Sequence, residues 1–424
     1  MPKWLDFSNP RRVHRITRWP IYVLLVGYVS LFRAYGQIDP MRRELIQLGY
    51  NASFEGHAPL AGYAFYYRNE PNFPETNLTL RLAVAPTYLD SELGFSHLLG
   101  EHTDLGVGIA GGGYADDYDE IRQGKFFTGQ SFDGYGGEGS VSIYHLFNAD
   151  QQIPLNGVLR GIVHYATYAP NDDTASDFKV PEDNTTFDVR AGMRWGGKEP
   201  ILFPSLAMEL SVWYEGQFRT SPQRYGLTTV NPEGDRDLNR QSHLFWATAL
   251  LAYTMPHLGH SFYINVTAGT SVDADRFSAY RLGALLPMVS EFPLSLPGYY
   301  YQEFSARQFV LMGGNYNIPL DKKDRWNVDF TAASACVSYL QGFQQSGDWN
   351  TGVGGGILYQ ASNFKCMLGY AYGFDAIRTG GRGNNSVGIL MQFDLGHAKQ
   401  ELLNPSDVSR WRGWGRIVNG LFGD

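Results

Sequence analysis

Apolar and polar residues exchange places at every second position through much of the chain. In residues 187–195, Phe187, Val189, Ala191, Met193 and Trp195 alternate with Asp188, Arg190, Gly192 and Arg194. Residues 206–219 repeat the pattern, with Leu206, Met208, Leu210, Val212, Tyr214 and Phe218 set against Glu209, Ser211, Glu215, Gln217 and Arg219. Residues 262–272 do so again. A period of two is that of a β-strand with one apolar face. A soluble antiparallel sheet shows the same two faces, but something must then cover the apolar one. The sequence offers no complementary helices for that task. Lipid can serve instead, and an open sheet edge in hydrocarbon would leave backbone groups unpaired at several kcal/mol each, so the sheet must close. The expected fold is all-β, a closed antiparallel transmembrane β-barrel. A soluble β-sandwich is the alternative, although one sandwich rarely uses so many strands.

Along the chain, a first strand is expected at 59–67, after a short periplasmic segment, residues 37–57, in which Met41 to Leu45 reads as a turn or two of helix. Residues 78–97 place Leu78, Leu80, Leu82 and Val84 on one face, then flip phase to Leu93 and Phe95. A bulge explains such a flip; a tight turn near Asp90 is the other reading and changes the strand count. Residues 104–115 pair with 136–147, and the last strands are 307–318, 326–339, 351–360, 364–374 and 386–395. The direct count is about 14 strands, within a barrel spanning residues 58–396. Connections alternate between short (148–153, 196–200, 256–259, 321–324, 361–363) and long (116–135, 170–185, 220–242, 273–304, 341–349, 375–383). Outer-membrane barrels keep short turns in the periplasm and long loops outside. Within the longest connection, residues 280–304 are rich in leucine, proline and aromatics, unlike a polar surface loop or a disordered segment. They are expected to tuck into the barrel lumen.

Composition agrees: 49 glycines, 27 tyrosines and 26 phenylalanines suit many short strands. A net charge of −8 speaks against a nucleic-acid partner, whose binders carry a basic face. Residues 1–36 read as a signal peptide. Arg11, Arg12, Arg15 and Arg18 precede an apolar core, 21–32, and Ala34-Tyr35-Gly36 offers cleavage before Gln37. Arg33 behind the core is unusual; a twin-arginine signal and an uncleaved anchor are the other readings. Cys336 and Cys366 fall on strands with another strand between them, too far apart for a disulfide. Residues 397–424 form a periplasmic tail, in which Trp411, Trp414, Ile417, Val418, Leu421 and Phe422 lie at helical spacing among arginines. An interfacial amphipathic helix and a small plug for the barrel end are equally good accounts.

From Tyr280 to Leu395 the sequence resembles the C-terminal barrel of the bacterial surface antigen superfamily. That group includes outer-membrane assembly factors, two-partner secretion transporters and the barrels of patatin-like autotransporters. Arg281-Leu282-Gly283-Ala284 is similar to the element that opens the family's lumen loop. Pro297-Gly298-Tyr299 stands where the family has its arginine-glycine-tyrosine tip, and five strands follow. The resemblance implies 16 strands. Pro297 replaces the family's arginine, and the acid it would meet on the wall falls near Ala332; Asp329 could serve only after a register shift. The loop is then expected to be held by packing of Tyr299, Tyr300 and Tyr301. The segment 37–57 leaves no room for the family's periplasmic POTRA repeats, which puts translocation or insertase activity in doubt.

The inward set of Arg81, Arg160, His164, Asp188, Arg190, Arg194, Glu209, Glu215 and Arg219 mixes both signs. It implies a wet lumen for polar solutes, unless these charges only satisfy one another. Function is therefore read as a stand-alone, gated or plugged outer-membrane pore, porin-like and engaged in transport. The alternative is a translocator or insertase acting with a separately encoded periplasmic partner. Other partners are outer-membrane lipid and, during biogenesis, the barrel assembly machinery. No catalysis is expected, since neither a Gly-x-Ser-x-Gly elbow nor an HExxH helix occurs. No cofactor is expected. Acidic loop clusters, Asp116 to Glu120 and Asp172, Asp173 and Asp177, read as solvated surface charge in preference to calcium sites.

Overall fold

The computed structural model describes residues 39, 41–151, 153–198, 201–227, 236–284 and 292–396. The expected signal peptide and the helical tail lie outside them. Sixteen wall strands follow one another: β1 (Arg43–Ser53), β2 (Ala61–Pro71), β3 (Leu78–Val84), β4 (Tyr88–Phe95), β5 (Thr103–Gly112), β6 (Asp133–Leu146), β7 (Leu155–Ala169) and β8 (Asn184–Gly197). Then come β9 (Leu206–Arg219), β10 (Gln241–Thr254), β11 (Ser261–Val272), β12 (Phe304–Pro319), β13 (Trp326–Tyr339), β14 (Trp349–Gln360), β15 (Phe364–Arg378) and β16 (Gly381–Asp394). Each pairs antiparallel with its neighbours in sequence. The ring closes where β1 meets β16, in register from Leu45 opposite Asp394 to Ser53 opposite Ser386. A short strand, Tyr280–Leu282, pairs with the top of β12 beyond the reach of β11.

The barrel thus has the 16 strands that the resemblance implies, and the two missed by direct counting are identifiable. One is β1, which occupies residues assigned to a periplasmic segment and to helix. Its apolar residues fall on both faces, Leu45 buried inward beside the polar Gln47 and Ile46, Leu48 and Tyr50 outward, so alternation is hidden there. The barrel begins at Arg43, not at residue 58. The other comes from 78–97, which is a hairpin. Ala85 N donates to Tyr88 O, and the turn sits a few residues before Asp90. No bulge is needed to flip the phase.

The usual arrangement of a globular protein is inverted. Ile109, Val141, Leu159, Val163, Phe187, Val212, Ile264, Phe330 and Leu368 stand exposed on the outer surface. Gln47, Ser142, Ser242, Asp329 and Ser386 are buried inward. Lipid is the medium in which the exposed set makes sense. Cys336 and Cys366 are free thiols on β13 and β15, separated by β14.

Candidate functional site: a charged lumen with two inserted connections

The wall residues picked out by alternation do point inward, and oppositely charged ones meet. Arg81 holds Asp90 through two hydrogen bonds, 2.9 and 3.0 Å. Arg160 Nη2 lies 3.0 Å from Glu92 Oε2 and 2.8 Å from the Tyr144 hydroxyl, which itself donates to Glu92. These partners sit on β4, β6 and β7. They reach one another because the intervening β5 presents Gly106 inward; a side chain there would meet Glu92 and Tyr144 at 3.1 Å. Further round the ring Arg190 donates to Glu215 at 2.7 Å, Arg194 stands 3.3 Å from Glu209, and Arg219 pairs with Asp275. His164 meets Asp116 and Glu138. Asp188 lines the same stretch of β8, opposite Gln217. The wall is therefore charged but largely self-compensated.

The connection after β11 enters this lumen and crosses it. Phe292 packs edge-on against Trp213 of β9 and Trp246 of β10, ring centroids 5.1 and 5.2 Å apart. Those two indoles stack on each other, and Arg194 lies 5.1 Å above the Trp213 ring. Leu282, Leu296, Tyr299 and Phe304 then form a core with Leu311, Ala333, Ala335 and Val337 of the wall. Gly283 donates to Leu294 O, and Ala284 bridges to Leu296, closing a small loop within the loop. Gly283 has φ +143, and a Cβ on it would lie 2.0 Å from Tyr300 O, so only glycine fits. Arg281 turns up toward the long loops and donates to Asp119 O.

At the tip, Gly298 (φ +82) presses on β15; a Cβ would lie 2.1 Å from Gly373 N. Asn384 donates to Gly298 O, and Tyr299 donates to Thr351 O. Pro297 O sits against Gly352, where no side chain intervenes. Asp329 lies elsewhere, inward on β13 with Asn315, and takes no part in the tip. Packing of Tyr299 and Tyr300 holds the loop as expected, both being fully buried, but a polar lock exists as well. Arg378 of β15 grips Glu303 of the loop through two hydrogen bonds, 2.8 and 2.9 Å. It also lies 3.7 Å over the Tyr300 ring and donates to Asn384. The acid is on the loop and the arginine on the wall.

A second insertion was not foreseen. The connection between β8 and β9, expected as a short periplasmic turn at 196–200, folds inward at the opposite end of the barrel. Leu202, with Phe203 beside it, packs against Leu358, Met367 and Leu390 on the inner faces of β14, β15 and β16. Leu202 N donates to Gln392 Oε1, which also accepts from Gln47 of β1. Lys365 Nζ donates to Leu202 O at 2.7 Å and to Phe203 O at 3.2 Å. Turn and wall thus meet across the ring, since β8 and β9 stand far from β14–β16 in strand order.

Over the long-loop end the loops form a dome. Tyr118, Phe132, Phe178, Tyr225 and Leu238 make its buried centre, with Phe277 against them. Glu120, read from sequence as surface charge, is 0% exposed. Burial would raise its pKa, but Arg276, Arg236 and Arg122 outweigh this and hold the carboxyl below its ordinary value. Among the described residues no group of three or more His, Cys, Asp or Glu is placed to hold a metal.

A closed ring with a greasy outside, a charged inside and a loop packed within it is an outer-membrane β-barrel with an obstructed lumen. Among solved structures the chain is similar to CdiB from Acinetobacter baumannii (TM-score 0.54, 9% identity, 84% of this chain and 60% of that one). It is also similar to BamA from Haemophilus ducreyi lacking POTRA domains 1–3 (TM-score 0.50, 12% identity, 82% and 70%). CdiB from Escherichia coli gives TM-score 0.50 at 12% identity, over 84% and 64%. The likeness is one of fold alone, and this chain spans less than two thirds of either CdiB. No family profile and no curated protein matches the sequence.

Proposed function

We propose that this barrel is a plugged outer-membrane pore for polar solutes, opened when its two inserted connections leave their seats. The supporting observation is what blocks the lumen. The wall itself is polar and charged, suited to water. The obstruction comes from chain segments, 292–303 and 201–203, each seated by side-chain packing and a few polar contacts. Such seats can be vacated without unpairing any strand. Planar-bilayer conductance tests this. The unaltered chain should conduct little or only in bursts; replacing 286–301 and 199–204 together by short glycine-serine linkers should give a steady open channel. A doubly opened barrel that folds and inserts yet passes no current would refute the pore.

A translocator role with a periplasmic partner is the second reading, favoured by the likeness to CdiB and BamA barrels. Reproducible co-purification of one periplasmic protein from the native membrane would raise it above the first. Neither reading includes catalysis; lipid hydrolysis abolished by changing a single serine would show that this is wrong.

A further inference from the structure

The dome holds a cluster of charge that neither reading uses. Three long loops contribute to it: Glu120 and Arg122 from the β5–β6 connection, Arg236 from β9–β10, and Arg276 from β11–β12. Arg122, Arg236 and Arg276 all aim at the same oxygen of Glu120, Oε1, while Oε2 accepts from Tyr118 and Arg236 also donates to Gln130 Oε1. Three guanidinium groups thus share one carboxylate oxygen. Arg276 is 3% exposed and Arg236 8%. Their burial is completed by aromatic rings: Phe343 lies 4.6 Å from the Arg276 guanidinium, and Phe178 and Tyr225 lie 5.2 and 5.6 Å from that of Arg236.

Among the described residues several donors of Arg236 and Arg276 have no protein acceptor: Nε and Nη2 of Arg276 and Nη1 of Arg236, with the Tyr225 hydroxyl also unpartnered. Buried charges are ordinarily paired, and leaving guanidinium donors without an acceptor is costly. Here three cations surround one carboxylate that cannot neutralise them all. The missing complement is an acceptor with negative charge and several oxygens. A guanidinium fork matches a tetrahedral oxyanion in geometry as well as charge.

We propose that the dome binds a phosphate-type oxyanion on Arg236 and Arg276, beside Glu120, and that the anion fastens the three loops over the barrel mouth. Such an anion could be free phosphate or the phosphate of an outer-leaflet glycolipid. The near-complete burial of both arginines favours the free ion, because a lipid phosphate remains tethered to chains in the membrane.

The test uses the full chain in detergent micelles, titrated calorimetrically with inorganic phosphate against sodium chloride at matched ionic strength. A parallel titration uses a phosphorylated glycolipid in mixed micelles. Saturable phosphate binding is expected, with a rise in the thermal midpoint. Glu120→Gln removes the competing carboxylate and should tighten phosphate about tenfold, roughly 1.4 kcal/mol. Arg276→Gln should abolish binding. If that variant fails to show the heat-modifiable gel mobility of a folded barrel, Arg236→Lys replaces it and should weaken phosphate at least tenfold. A response to glycolipid alone would keep the oxyanion site and assign its source to lipid. Absence of a response to either ligand, or phosphate binding unaltered by all three substitutions, would overturn the proposal.

Discussion

Single residues decide how the lumen loop is held. Pro297 correctly signals that the family's arginine is missing, and Ala332 that its acid partner is missing too. What could not be read is the replacement, because Glu303 and Arg378 lie 75 residues apart and neither belongs to a motif. The pair has opposite polarity but joins the same two elements, loop and wall. Both side chains are nearly inaccessible, 1% and 3% exposed. Removing one partner leaves a buried charge alone, which costs about 3–5 kcal/mol. Arg378→Met should therefore destabilise by about that amount in urea unfolding followed by tryptophan fluorescence in lipid vesicles. Glu303→Leu added to it should recover much of the loss. Additive losses from the two substitutions would mean that the pair does not act as a unit.

At the scale of elements, strands were legible where lipid and lumen impose a strict period of two, as in β8, β9 and β11. They were hidden where inward positions are themselves apolar, as at Leu45 in β1, which is buried away from water. Connections were legible in length but not in direction. The leucines and aromatics of 280–304 announced burial, whereas Leu202 and Phe203 are too few to do so. The acidic run 116–120 suggested solvent, since nothing nearby in sequence reveals arginines delivered by two other loops. The dome also carries a pH dependence of definite sign. Glu120 is held below its ordinary value, roughly 4.3. Its stabilising contribution is present above that value and is lost as pH falls through the lower, folded one. Hydrogen exchange should show 116–132 and 236–240 protected at neutral pH and opened as the pH is lowered past the ordinary carboxylate value, before the wall strands open. In Glu120→Gln those segments should be less protected at neutral pH and insensitive to acid. Protection of the dome that stayed unchanged through acid unfolding of the wall strands would contradict this assignment.

For the molecule as a whole, closure was foreseeable from physics alone: a sheet in hydrocarbon has no tolerable edge. Strand number was not, and came right only through resemblance, with structure supplying β1 and the split of 78–97. The turn at 201–203 has a consequence for how such a ring comes to be made. Its seat consists of Leu358, Met367, Leu390, Lys365 and Gln392, all from the last strands of the chain, while Gln392 also reaches the first through Gln47. The middle of the polypeptide cannot settle until its two ends have met. A chain stopped after β14 should insert poorly and leave residues 198–205 open to protease from the short-turn side, whereas the complete chain should resist. The turn then works as a keystone set after the arch is closed: a late arrival, whose docking reports that the circle is whole.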